Sequence, residues 1–307
     1  MPVPGELAAG SCGGSFDGDW HTEEHRGACR LGFRVAGVLH DEVSPLQRIR
    51  VYDTPFFGRV LTLDDLVMLT ERDEFVYHEM LVHVPLLSLE SPRSLLVVGG
   101  GDCGCIREAL RHPTLERIVQ CEIDERVTRV CEEWFPWVAE TIADPRVELV
   151  FADAVELIAG SAEAFDVVVI DSTDPVGPAA ALFRQAFYRQ VARSLRRGGV
   201  MSAQTESPHW DAPLVGAIYR ELRGAFRQVH AYLGNIPSYP SGGWSWAWAS
   251  NDRAPDGFFD EGRAAAIAET CRYYNPALQR AAFALPNHAR RAVDGEDPFA
   301  YLGGAQE

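Results

Sequence analysis

A run of glycines set directly behind an apolar strand constrains this chain more than any other feature. Residues 94–98 read Ser-Leu-Leu-Val-Val, and Gly99-Gly100-Gly101-Asp102-Cys103-Gly104 follows at once. A helical pattern opens at Cys105 and ends at His112, ahead of Pro113. Gly99, Gly101 and Gly104 match G-x-G-x-x-G, a spacing that is weak alone and stronger between a strand and a helix. Glycine permits the tight turn and lets a ligand approach the backbone. Beyond this point strands and helices alternate. Strands are predicted over 117–121, 147–151 and 165–170, the last nearly all apolar as suits a strand covered on both faces. Helices are predicted over 125–135 and 180–195, and a further strand runs from Gly198 through Gln204. Such alternation predicts an α/β fold with a doubly wound, Rossmann-like sheet of the methyltransferase type, mostly parallel.

Upstream the pattern differs. Short strands are predicted over 47–52, 59–63 and 67–70, separated by Asp53-Thr54-Pro55 and Asp64-Asp65, which makes a small antiparallel unit. Residues 74–88 then read as a helix, with Phe75, Met80, Leu81 and Val84 apolar. The expected division is a flexible arm (1–18), a small N-terminal β domain (19–73), a Rossmann-like catalytic domain (74–290) and a C-terminal tail (291–307). With 307 residues, 47% of them hydrophobic, the chain can bury a core without covalent staples. Its seven cysteines follow neither a disulfide framework nor a zinc spacing, so reduced thiols are expected. Residues 1–18 lack a basic and apolar leader, and no apolar run approaches ~18 residues, so a cytoplasmic location is expected.

The formal net charge of −16, from 44 acidic and 28 basic residues, argues against nucleic acid or an anionic membrane as partner and suits a cationic ligand. The acids also fall in a pattern. Asp102, Glu122, Asp153 and Asp171 each close one of four successive strands, at the C-terminal ends where open sheets place ligands. Aspartate is common at helix N-caps, so one such residue would carry little weight; four in succession carry more. Glu122 sits twenty residues past Asp102, where an acid accepts hydrogen bonds from ribose hydroxyls. A pyrophosphate would be repelled by Asp102, whereas an adenosine bearing a cationic sulfonium would not. The site therefore reads as nucleoside plus cation rather than NAD. The segment from Asp171 to Pro178 adds Asp174 beside the same point. A methyltransferase does not need this density of carboxylates. An enzyme holding a diamine does, because each desolvated ammonium needs a partner.

At these residues the sequence resembles the spermidine synthase family, from about Trp20 to about Pro286. The resemblance is carried by Glu71-Arg72-Asp73-Glu74-Phe75-Val76-Tyr77-His78-Glu79, the glycine run with Asp102, Cys121-Glu122-Ile123-Asp124, the run from Asp171 to Pro178, and Ile236-Pro237-Ser238-Tyr239-Pro240-Ser241-Gly242. Arg272-Tyr273-Tyr274-Asn275 and Phe283-Ala284-Leu285-Pro286 resemble bacterial members. The resemblance implies that Gln47, Glu122, Asp153 and Pro178 hold the adenosine part, with Gly99, Gly101 and Ala154 beside it. It implies that Asp102 holds the aminopropyl amine, that His78, Tyr77, Asp174 and Tyr239 line the diamine site, and that Asp171 is the catalytic acid, helped by Tyr77. Gln204, at the next strand end, is expected to line the pocket. Cys103 stands where the family commonly has glycine, and Ala154 replaces a usual glycine; either change is expected to narrow the nucleoside pocket.

The implied reaction moves an aminopropyl group from decarboxylated S-adenosylmethionine, a co-substrate, onto a diamine by direct displacement. No cofactor or metal is expected. Burial beside Asp174 is expected to raise the pKa of Asp171. Putrescine is the default acceptor, with cadaverine, agmatine and spermidine left open. A methyltransferase using intact S-adenosylmethionine is the competing activity, and a non-catalytic polyamine-binding protein is the competing class. The family implies a homodimer or homotetramer, formed partly through the small N-terminal domain.

Overall fold

The computed structural model of the chain describes residues 12–175 and 177–305. Among the described residues seven strands come first, in two antiparallel sheets. β1 (Cys12–Phe16), β2 (Trp20–His25) and β3 (Cys29–Arg34) form one. β4 (Gly37–Val43), β5 (Arg48–Thr54), β6 (Gly58–Leu63) and β7 (Leu66–Thr70) form the other. The expected strands correspond to β5, β6 and β7; β1 to β4 were not foreseen. β1 corrects the expectation of an arm to residue 18, since Cys12–Phe16 pairs along its whole length with residues 21–25. The part of that arm before residue 12 lies outside the described residues. The reason for the miss is visible in β2. Its burial alternates as a strand should, but the buried residues are His21, Glu23 and His25, so hydropathy carries no signal.

α1 (Glu74–Leu87) follows, with every residue but Phe75 buried. The alternating segment then supplies β8 (Ser94–Gly99), α2 (Gly104–Leu110), β9 (Arg117–Glu122), α3 (Glu125–Trp134), α4 (Pro136–Ile142), β10 (Val147–Phe151), α5 (Ala154–Ala159) and β11 (Phe165–Asp171). The helix expected over 180–195 is two pieces, a 3-10 segment Gly177–Phe183 and α6 (Gln185–Ser194). Arg184 separates them with extended backbone, φ −97° and ψ 147°. β12 (Leu195–Gln204), α7 (Ala212–Arg223), β13 (Gln228–Asn235) and β14 (Gly243–Ser250) complete the domain, followed by α8 (Glu261–Ala268), α9 (Pro276–Ala282) and α10 (Asn287–Val293). α10 crosses the expected start of the tail at 291, with Ala289, Ala292 and Val293 buried.

The strand order is β10-β9-β8-β11-β12-β14-β13. The first five strands are parallel, and β14 and β13 close the edge antiparallel. The side chains of the central strands alternate between two cores. Leu95, Val97, Val167 and Val169 pack with residues of α1, α2 and α3. Leu96, Val98, Val168 and Ile170 pack with residues of α5, α6 and α7. Helix cover on both faces is what allows these strands to be apolar throughout. Among the described residues no helix is long and apolar enough to cross a membrane.

Candidate active site

β8 and β11 are neighbours at the centre of the sheet, yet the chain leaves them toward opposite edges. The crevice beyond their C-terminal ends is the place such a sheet offers a ligand. A cleft of about 620 Å³ fills it. Gln47, Tyr77, His78, Gly99, Gly101, Asp102, Glu122, Asp153, Ala154, Asp171, Asp174 and Tyr239 all border that cleft. Pro178 belongs to the 3-10 segment, between the bordering residues Gly177 and Ala179, and its side chain lies outside the description. The glycine run is pressed against β11: the Gly100 N–H donates to the Asp171 carbonyl at 2.9 Å, and Gly99 has φ +80°. A Cβ on Gly99 would collide with that same carbonyl oxygen, so the close approach requires glycine there.

Asp171 stands at the end of β11. Its Oδ2 accepts the Cys105 thiol at 3.2 Å, and the Tyr77 hydroxyl donates to the same carboxyl. Burial, and then the charge of Asp102, push the Asp171 carboxyl up to about 6. The expectation that Asp174 would raise it is corrected: Asp102 is the neighbouring acid that acts. Tyr77 and Cys105 are themselves pushed far above their ordinary values by burial and by Asp171, so both remain protonated donors. His78, Cys105 and Asp171 bring a ring nitrogen, a sulfur and a carboxylate oxygen within 4.8 Å of one another.

Asp102 has the opposite surroundings. His78 Nε2 lies 3.3 Å from its Oδ1, and the Gly104 N–H donates to that oxygen at 2.6 Å. The other ring nitrogen, Nδ1, is 2.7 Å from Glu74 Oε2. Arg107 clamps Glu74 from behind with two bonds of 3.0 and 2.7 Å. Burial works against charge at His78, but Asp102 and Glu74 outweigh it and raise its pKa well above the usual histidine value. An imidazolium held between two carboxylates in turn keeps Asp102 below the usual range despite burial. Two aspartates on one cleft thus differ in pKa, because His78 hydrogen-bonds Asp102 directly and reaches Asp171 only through its charge.

The side of the cleft for which the sequence suggested a nucleoside is built from the ends of β9 and β10. Glu122, 8% exposed, accepts the Asp124 N–H at 2.8 Å, and burial lifts its pKa to about 7. Asp124 Oδ2 takes bonds from Ser44 Oγ (2.6 Å) and Gln47 Nε2 (3.0 Å), which ties the small domain to this rim. Asp153 is exposed and caps α5 through the Val155 N–H at 2.8 Å, so the ordinary role of a strand-end aspartate is present as well. Ala154 borders the cleft. Cys103 does not. It adopts the left-handed conformation, φ 60°, and its sulfur points to Gln120 Nε2 (3.7 Å) and the Gly101 carbonyl (3.8 Å). The turn thus keeps the geometry of glycine at a cost of roughly 1–2 kcal/mol for a residue with a Cβ, and the thiol fills core instead of narrowing the cleft.

On the other side Tyr239 donates to the Met68 carbonyl at 2.6 Å and packs 6.1 Å from the Tyr77 ring. Asp174 and Glu206 share a hydrogen bond in which Glu206 carries the proton; burial raises both, helped at Glu206 by the charge of Asp174 and at Asp174 by that of Glu23, while the bond from Glu206 pulls Asp174 down. Gln204 falls short of the main cleft. Its Oε1 accepts the Glu206 N–H (3.0 Å) and its Nε2 donates to the Ser172 carbonyl (3.3 Å). It borders a smaller cavity of about 110 Å³ that shares Tyr77, Asp174 and Tyr239 with the cleft.

Glu74, Cys105, Arg107, Asp124 and Glu206 were not assigned roles from sequence. Glu74 alone had a local signal, lying four residues before His78 on one helix, where side chains meet. The others act through contacts between distant segments.

The chain is similar to known proteins over most of its length. Residues 74–259 match the model of the spermine/spermidine synthase domain, and residues 19–71 match that of the spermidine synthase tetramerisation domain. The chain is 40% identical over 276 residues to a polyamine aminopropyltransferase of Thermoanaerobacter sp. (strain X514), covering 90% of this chain and 98% of the relative. It is 42% identical over 285 residues to one from Thioalkalivibrio sulfidiphilus (strain HL-EbGR7), covering 92% and 100%. Among solved structures, a spermidine synthase in complex with the transition state analogue AdoDATO superposes with a TM-score of 0.87 at 36% identity, over 89% of this chain and 94% of that one. The spermidine synthase from Thermotoga maritima superposes with 0.85, also at 36% identity and the same coverage.

Proposed function

The chain belongs to the polyamine aminopropyltransferase family of spermine and spermidine synthases, and from that premise we propose that it transfers the aminopropyl group of decarboxylated S-adenosylmethionine to a small diamine, putrescine by default. The observation that carries this reading is the opposed pair Asp102 and Asp171, one charged at rest and the other poised to take a proton. Asp102 receives the donor's terminal ammonium. Intact S-adenosylmethionine would bring a carboxylate to the same place, which favours the decarboxylated donor over methyl transfer. Glu122 accepts the ribose hydroxyls, with Gln47, Asp153, Ala154 and Pro178 around the adenosine. Asp174 and Tyr239 hold the diamine, and its second nitrogen reaches the carboxyls of Asp174 and Glu206.

The attacking ammonium first passes a proton to Asp171. An alkylammonium titrates near ~10 and a free aspartate near ~4, and a carboxyl already lifted to about 6 narrows that gap. The freed lone pair forms a carbon–nitrogen bond at the methylene beside the sulfonium. The carbon–sulfur bond breaks toward sulfur, which leaves as the neutral thioether of methylthioadenosine. Tyr77 orients Asp171, and the surrounding carboxylates offset the repulsion between two cationic substrates. Holding the attacking nitrogen, the methylene carbon and the departing sulfur in line at close range supplies the rest. A cytoplasmic location and assembly as a homodimer or homotetramer belong to the same proposal, the latter supported by the matching tetramerisation domain. The test is Asp171→Asn at saturating substrates. Turnover should fall by ~10²–10⁴ while methylthioadenosine binding persists; unchanged turnover would remove Asp171 from this role.

A further inference from the structure

The smaller cavity beyond Tyr239 has walls that the main cleft does not share. Glu23 and His25 come from β2 and Arg26 from the turn after it, and Glu206, Trp210 and Asp211 from the segment after β12. Its character is acidic and aromatic, as a cavity for amines should be. Glu206 is 8% exposed, and its Oε1 has no hydrogen-bond partner among the described residues, so a buried acceptor there awaits a donor. Against this background Arg26 is out of place. It is the only Arg or Lys among the described residues that border the cavity. Its Nη2 lies 2.6 Å from Asp211 Oδ1, and the Asp211 side chain is only 13% exposed. Asp211 is itself anchored, since its Oδ1 also accepts the Leu214 N–H at 3.1 Å and so caps α7. His25, the other basic side chain here, is 3.2 Å from Glu23.

We propose that Arg26, fixed by Asp211, sets the upper limit on acceptor length, admitting α,ω-diamines and refusing polyamines that would extend a third ammonium into this cavity. The inference rests on the aminopropyl-transfer reading above and concerns which amine that reaction accepts. A diamine's second nitrogen meets Asp174 and Glu206 and stops there. A triamine of the spermidine kind carries a further charge onward, into about 110 Å³ of space bordered by a guanidinium. The Arg26 side chain is 40% exposed and paired with Asp211, so the repulsion is partly screened; what remains acts against the longer amine without loss of grip on the shorter.

The experiment compares kcat/KM for putrescine, cadaverine and spermidine in wild type, Arg26→Ala, Arg26→Gln and Arg26→Lys. Arg26→Gln keeps a side chain able to reach Asp211 while removing the charge, and it serves if the alanine variant does not fold. The wild type should prefer the diamines, and Ala or Gln should raise the spermidine-to-putrescine ratio by about tenfold or more. Arg26→Lys retains a cation and should retain the wild-type preference. Wild type that uses spermidine as readily as putrescine, or an unchanged ratio in the active neutral variants, would overturn the gate. No amine-dependent release by wild type with any acceptor would instead overturn the underlying transfer reading, and the gate with it.

Discussion

Asp171 and Asp102 show how far the surroundings of a carboxylate decide what it can do. Each ends or follows a strand of the same sheet and borders the same cleft. The imidazolium of His78 touches Asp102 and holds it charged, whereas Asp171 receives only neutral donors and rises to about 6. The sign of the pH dependence follows. In the free protein Asp171 is a base above about pH 6 and is protonated below it, so kcat/KM for the amine should fall as pH drops through that value. Glu122, lifted to about 7, should impose an earlier fall on kcat/KM for the donor. Bound sulfonium and ammonium favour both carboxylates, so the acidic limb in kcat should lie lower than in kcat/KM. Profiles flat down to about pH 5 would contradict these assignments. The positions of Asp102, Glu122 and Asp171 were legible because strand ends are legible. Their charge states were not, since Cys105, His78 and Tyr77 reach them from other segments, and Cys103 reads as a pocket residue until its sulfur is seen to face Gln120.

At the scale of elements, the alternation of apolar strands with helices was readable because each parallel strand is buried on both faces. The N-terminal strands escaped because polar residues face their interior: His21 is fully buried between the rings of Phe33 and Tyr52. The junction of α1 and α2 is the tightest point of the site. Gly104 opens α2 directly against His78, and a Cβ there would come within 2.3–2.5 Å of three atoms of the imidazole ring. Gly104→Ala leaves the helical backbone acceptable, so the protein should fold. Displacing His78 from its seat between Glu74 and Asp102 should cost about 1–3 kcal/mol, as forced overpacking does, and weaken donor binding. Urea denaturation and methylthioadenosine titration check both parts; a variant matching wild type in each would mean that the ring has room to move.

For the whole molecule, the net charge of −16 suits the cationic substrates proposed for it. The small domain presents apolar residues to solvent at Val38, Val43, Leu46 and Phe56, and β4 is an edge strand of its sheet. Such a surface is normally covered. Light scattering should therefore give two or four copies of the 33.9 kDa chain, and a single copy at micromolar concentration would contradict this. Assembly could not be read from periodicity, because an interface looks like any half-buried strand until the monomer is folded. The central claim, aminopropyl transfer, is tested most directly by incubating the protein with decarboxylated S-adenosylmethionine and putrescine and weighing the products. The account predicts methylthioadenosine released only when amine is present, together with an amine heavier by one aminopropyl unit. Donor left intact with every diamine, or a methyl group moved from S-adenosylmethionine instead, would contradict it.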